Sequence, residues 1–141
     1  RDAMEQRGYQ REIDETISAV KRLRESKVRV LIGGDYGLNI TPHGTNSKDL
    51  EYFVDLFGMS AAEALLCATR DGGAAADTSG MVGTLEEGKY ADLLIIDGNP
   101  IEDIRILQDH SRIVGVMKDG VMHCALMQKN PYVAPNEQME G

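Results

Sequence analysis

Apolar positions along the chain change their period from helical to strand-like and back. From about Gln10 to Glu25, Ile13, Ile17, Val20 and Leu23 recur at helical spacing with charges on the opposite face. After a two-residue link, Val28 to Ile32 is a short apolar run that predicts a strand, as where a helix feeds a parallel strand. It ends in Gly33, Gly34 and Asp35, and Asp35 to Asn46 is a loop rich in Gly, Asn, Thr and Pro. Ser47 to Phe57 predicts a second helix burying Leu50, Phe53, Val54 and Phe57, with Gly58 as its stop. Ser60-Ala-Ala-Glu63 is a capping box. The helix it opens is expected to turn Ala64, Leu65, Ala68 and Thr69 inward and to end near Asp71-Gly72-Gly73.

Beyond that point strands dominate. Gly83 to Gly88 is turn-rich, and Ala91 to Ile96 is a continuous apolar run of strand length, broken by Asp97-Gly-Asn-Pro100. A helical turn is expected to hold Ile101, Ile104 and Leu107 inward. Arg112 to Met117 alternates as a strand, and Asp119-Gly120 is a hairpin turn into Val121 to Ala125. The chain thus divides into an α/β portion over residues 1–78, strands over 79–128 and a polar tail over 129–141. Neither of the first two is complete alone. One strand cannot close a sheet, and three strands make a poor sandwich.

Composition narrows the partners. A net charge of -8 and a pI of about 4.8 argue against nucleic acid, whose phosphates need a basic face. No stretch is apolar for long enough to span a membrane. The two cysteines, Cys67 and Cys124, lack metal-type spacing, which fits a reduced, cytoplasmic setting. Cys67 falls within an apolar helical pattern and reads as a buried, inert thiol. The first residue is Arg1, so the start of the chain is taken as a cut or processed end that says little about targeting.

The candidate chemistry centres on Asp35. A bare carboxylate at the C-terminal tip of a strand is where α/β barrel enzymes keep catalytic groups, although Asp is also a common turn cap. Gly33-Gly34-Asp35 is followed by His43-Gly-Thr-Asn-Ser-Lys-Asp-Leu50 and by Gly58-Met-Ser-Ala-Ala-Glu-Ala-Leu65 with Ala68-Thr69. Then come Gly83-Thr-Leu-Glu-Glu-Gly-Lys-Tyr-Ala-Asp-Leu93, Asp97-Gly-Asn-Pro100 with Asp103-Ile104, and Val116-Met-Lys-Asp-Gly120. In this order and spacing they resemble the C-terminal part of the amidohydrolase superfamily, in its imidazolonepropionase-like and Xaa-Pro dipeptidase-like branch.

The resemblance implies a metal-bearing (β/α)₈ barrel with a small β-sandwich built from both chain ends. Residues 1–78 would supply the last β/α units and 79–128 the C-terminal sandwich strands. It also implies a divalent metal, usually zinc, that activates water to attack an amide, peptide or cyclic C–N bond. Asp35 would then be metal ligand and proton shuttle, taking the proton of the water and passing it to the leaving nitrogen. His43, in the loop after Asp35, would contact substrate or simply be a solvated imidazole, while His110 and His123 read as structural or exposed. The family's His-x-His pair is absent. A lone carboxylate and one His do not hold catalytic zinc, so the chain by itself is expected to be inactive. Its partners are then a small-molecule or peptide substrate and either the missing barrel portion or a second copy in a homo-oligomer. This reading needs Asp35 to be aimed into a cavity whose other walls lie elsewhere.

Two departures from the family pattern stand out. Gly34 replaces Thr beside Asp35, and Asp71 to Asp77 lacks a large apolar anchor, so loose helix packing is expected there. Two other classes compete with the hydrolase. One is a non-catalytic orphan fragment that self-associates. The other is a receiver-like phosphoacceptor domain, with Asp97 at the end of a central parallel strand and Mg²⁺ beside it.

Overall fold

A computed structural model describes residues 3–39 and 41–125. The polar tail expected over 129–141 lies outside the described residues. Helix α1 runs Ala3–Glu25, α2 Lys48–Asp55, α3 Ala61–Leu66 and α4 Gly72–Ala76, with a π turn over Cys67–Asp71 joining the last two. Strands β1 (Leu93–Ile96), β2 (Ile113–Lys118) and β3 (Val121–Ala125) form an antiparallel sheet in that order, and two 3₁₀ turns, Ile104–Gln108 and His110–Arg112, lie between β1 and β2. The architecture is α/β with a small three-stranded sheet.

Helix α1 begins well before Gln10, because its first turns carry strong helix formers, with Gly8 the single weak position at a cost of about 1 kcal/mol. It ends in a Schellman motif: Val28 N–H donates to Leu23 O (2.9 Å) and Lys27 N–H to Arg24 O (2.8 Å), with Lys27 left-handed at φ 58°.

The strand expected over Val28 to Ile32 is not formed. This stretch enters no ladder, since the described strands pair only with one another. From Arg29 on it keeps a two-residue alternation: Val30 and Ile32 pack against the core while Arg29 and Leu31 are exposed. A segment patterned for a sheet has no neighbouring strand among the described residues to accept its backbone bonds.

The core gathers Leu50 and Phe53 from α2, Met59, Ala64 from α3, Cys67 and Ile104. Phe53 and Phe57 meet edge to face with centroids 5.2 Å apart. Ile104 comes from the strand-rich portion, so a single apolar cluster spans both sides of the composition break. The capping box is present, Ser60 Oγ accepting from Glu63 N–H (3.2 Å) and Glu63 Oε2 from Ser60 N–H (2.7 Å), a device worth about 1 kcal/mol.

Helix α3 does not stop near Asp71-Gly72-Gly73. The π turn inserts a residue, which shifts the inward face. Cys67 is buried, and Ala68 and Thr69, expected inward, are exposed. The chain continues to Ala76 with Gly72 and Gly73 inside α4, and the reason is a backbone crossing. A Cβ at Gly73 would stand 2.6 Å from Gly83 Cα, and one at Gly83 2.8 Å from Thr69 O. The anchor that seemed missing from the sequence is replaced by main chain laid directly on main chain.

Asp119 and Gly120 both have positive φ, 50° and 76°, as the two-residue hairpin between β2 and β3 requires. Asp92 fastens this turn by accepting from Asp119 N–H (2.7 Å) and pairing with Lys118. Ile101, expected inward, is exposed, because the 3₁₀ turn starts only at Ile104 and Ile101 belongs to the preceding Asn99 turn. A receiver domain needs a parallel strand before Asp97, whereas β1 pairs antiparallel with β2. That alternative is removed.

Candidate active-site rim

Asp35 sits between Gly34 and Tyr36 at the end of the 28–34 segment and is exposed. Its main-chain oxygen accepts from Thr41 Oγ1 at 2.6 Å. Its carboxylate has no hydrogen-bond partner among the described residues, and a cavity of about 600 Å³ between α1, residues 28–30 and α3 does not include it. Among the described residues nothing walls in the carboxylate. The segment carrying it has no lateral neighbours here to build such walls.

His43 is exposed, its ring lying against Gly37 on the same loop. His123 is exposed on β3. His110, also exposed, places Nε2 3.1 Å from Gly44 O, so it ties the start of the second 3₁₀ turn to the loop that carries His43. Asp35 and His43 share one loop, and among the described residues no group of three or more His, Cys, Asp or Glu is placed to hold a metal ion. A catalytic metal of the expected kind takes three protein ligands. The described residues alone do not fit it, offering one carboxylate at the expected position.

Two features of the rim carry no sequence signal. The first is the pair Tyr36–Asp49. Tyr36 O–H donates to Asp49 Oδ1 at 2.7 Å, with Asn46 O at 3.5 Å. Burial, and then the Asp49 carboxylate, push the phenol up to about 12. This pair also accounts for Gly34: a Cβ at that position would collide with the Tyr36 ring and with Asp49 Oδ2. The threonine of the resembling motif has no room here.

The second is the charge cluster that joins α2 to the first 3₁₀ turn. Glu51 accepts from Lys48 Nζ, from Gln108 Nε2 (2.8 Å) and from Arg105 Nε (3.1 Å), while Arg105 Nη2 also reaches Asp55 (2.6 Å). Hydrogen bonds from Lys48 first and Gln108 next pull the Glu51 carboxyl down from 4.5 to about 2. A depressed acid stabilises the fold above its unfolded value, and that stability is lost as pH falls through the folded value. Stability should therefore fall more steeply between pH 4.5 and about 2 in the parent protein than in Glu51→Gln, read as urea midpoints across that range. Parallel curves for the two proteins would remove Glu51 from the acid response.

Cys67, buried and 4.0 Å from Met59 Sδ, has its thiol pushed up by burial and then by Asp71. That is the inert thiol expected from its position.

The sequence profile described as the amidohydrolase family matches residues 9–122. Ochratoxinase of Aspergillus niger is 29% identical over 100 residues, 70% of this chain and 20% of that protein. Its crystal structure superposes with a TM-score of 0.69 at 25% identity, over 83% of this chain and 28% of that one. Imidazolonepropionase of Thermoanaerobacter pseudethanolicus is 31% identical over 85 residues, 60% of this chain and 20% of that protein. The crystal structure of a Xaa-Pro dipeptidase with bound methionine in its active site gives a TM-score of 0.67 at 33% identity, over 77% of this chain and 25% of that one. The fold and the motif order define an α/β scaffold of the kind these relatives share, and the chain belongs to the amidohydrolase family. It spans about a fifth of the length of the curated relatives it matches.

Proposed function

We propose that this chain is the C-terminal portion of a metal-dependent amidohydrolase that cleaves an amide, peptide or cyclic C–N bond. In this reading residues 1–78 contribute the last β/α units of a (β/α)₈ barrel, and 79–128 the C-terminal strands of a small sandwich. The observation that carries it is the 28–34 segment. One side of it, Val30 and Ile32, is covered by the core, Leu31 is bare, and its edges pair with nothing among the described residues. A barrel strand has this pattern: helices cover one face, the barrel interior receives the other, and strands lie along both edges. The sheet agrees, since Leu94 and Val121, on one face of it, are exposed where a sandwich would cover them. The names of the relatives, ochratoxinase, imidazolonepropionase and Xaa-Pro dipeptidase, support the bond class.

Asp35 is assigned the general-base part, taking a proton from the attacking water and delivering it to the leaving nitrogen. A divalent metal, with Asp35 among its ligands, belongs to the proposal for the whole protein. The remaining ligands must come from outside the described residues. His43 is assigned to the substrate side of the rim. The competing reading, a non-catalytic fragment that self-associates, is favoured by the same exposed apolar positions.

Dialysing the whole protein against a chelator separates the two readings. The hydrolase is expected to cleave Xaa-Pro dipeptides or N-acyl amino acids, to lose that activity on dialysis and to regain it with zinc. Turnover of none of these amides by the metal-loaded protein would leave the self-associating fragment.

A further inference from the structure

We infer that Tyr36 and Asp49 are a positioning pair for Asp35: the Tyr36 ring, laid over the bare Gly34 Cα and held by the Asp49 carboxylate, fixes the backbone on both sides of the acid. The inference rests on the role given to Asp35 above.

The geometry has three parts. Gly34 and Tyr36 flank Asp35 in the chain. The Tyr36 ring and Asp49 Oδ2 occupy the space that a Cβ at Gly34 would need, so ring, carboxylate and main chain are stacked with no slack. The Tyr36 O–H to Asp49 Oδ1 bond of 2.7 Å spans from the strand-like segment to the first turn of α2, an element anchored in the core by Leu50 and Phe53. Asp35 itself adds a third restraint through its main-chain oxygen, which accepts from Thr41 Oγ1. The side chain of an exposed acid takes its direction from its backbone, and here core-anchored residues hold that backbone. A hydrogen bond to an ionised acceptor is the stronger kind, which suits a long-armed clamp at a half-exposed position. Misplacing a reacting group by about 1 Å can cost about 10²-fold in rate.

The test uses the whole protein and an Xaa-Pro dipeptide, with Tyr36→Phe, Asp49→Ala, Asp49→Asn and Asp35→Asn assayed side by side. Tyr36→Phe and Asp49→Ala are expected to lower kcat by between about 10- and 100-fold with KM changed less than about twofold. Asp49→Asn keeps an acceptor oxygen for the phenol and should recover most of the loss, which a general loss of structure would not allow. Normal kcat in Tyr36→Phe and Asp49→Ala, beside an inactive Asp35→Asn, would overturn the pairing while leaving the role of Asp35 intact. Full turnover in Asp35→Asn would instead remove the role of Asp35 and the purpose of the pair together.

Discussion

Asp35→Asn in the whole protein is expected to lower turnover by about 10²- to 10⁴-fold, the usual worth of a positioned general base. The exchange keeps size and shape and removes only charge and basicity. Stability should barely move, because the carboxylate is exposed and accepts no hydrogen bond among the described residues. The expected signature is a protein that melts like its parent, keeps its KM and has almost no kcat. Steady-state kinetics on Xaa-Pro dipeptides together with a thermal melt read both halves. Turnover within a few-fold of the parent would remove Asp35 from the chemistry. A melt shifted by many degrees in the metal-free protein would instead mean that the acid serves the fold.

The second large effect concerns folding. Ile104 is 3% exposed and packs with Leu50, Phe53, Met59, Ala64 and Cys67, although it lies 37 positions from Cys67, the nearest of these in sequence. Ile104→Ala removes three buried carbons and leaves a hole that the surroundings only partly close, at a cost of about 2–5 kcal/mol. The loss should appear in both portions of the chain at once, since the 3₁₀ turn and α2 also share the Glu51–Arg105 cluster. Hydrogen exchange would show it as faster exchange in α2 as well as in β1 and β2. A loss below about 1 kcal/mol, confined to the sheet, would show that the cluster is not cooperative.

The elements that could be read from the sequence are those fixed by near neighbours. The capping box at Ser60 and Glu63, the hairpin turn at Asp119 and Gly120, the apolar stripe of α2 and the ordered run of family motifs depend on residues a few positions apart. The misreadings come from partners distant in sequence. Val28 to Ile32 carries the pattern of a strand, but a ladder needs a neighbouring strand, and none lies beside it among the described residues. Ala68 and Thr69 were assigned by a regular helical period, and a single π insertion moved them outward. Ile104, Tyr36 and Asp49 act across long sequence separations, where periodicity carries no information. The candidacy of Asp35 rests on its motif, and the walls around its carboxylate depend on residues that local pattern cannot describe.

Where Gly73 lies against Gly83, two stretches of backbone touch without any side chain between them. The turn joining them looks like spare connector in the sequence, an inviting place to splice a tag, a fluorophore or a flexible spacer. Pushing material into it would wedge those two strips apart and unseat everything fastened beyond. Saturation mutagenesis at either glycine should return the parental codon almost alone, and foreign peptide is better carried on the outward surface of α1.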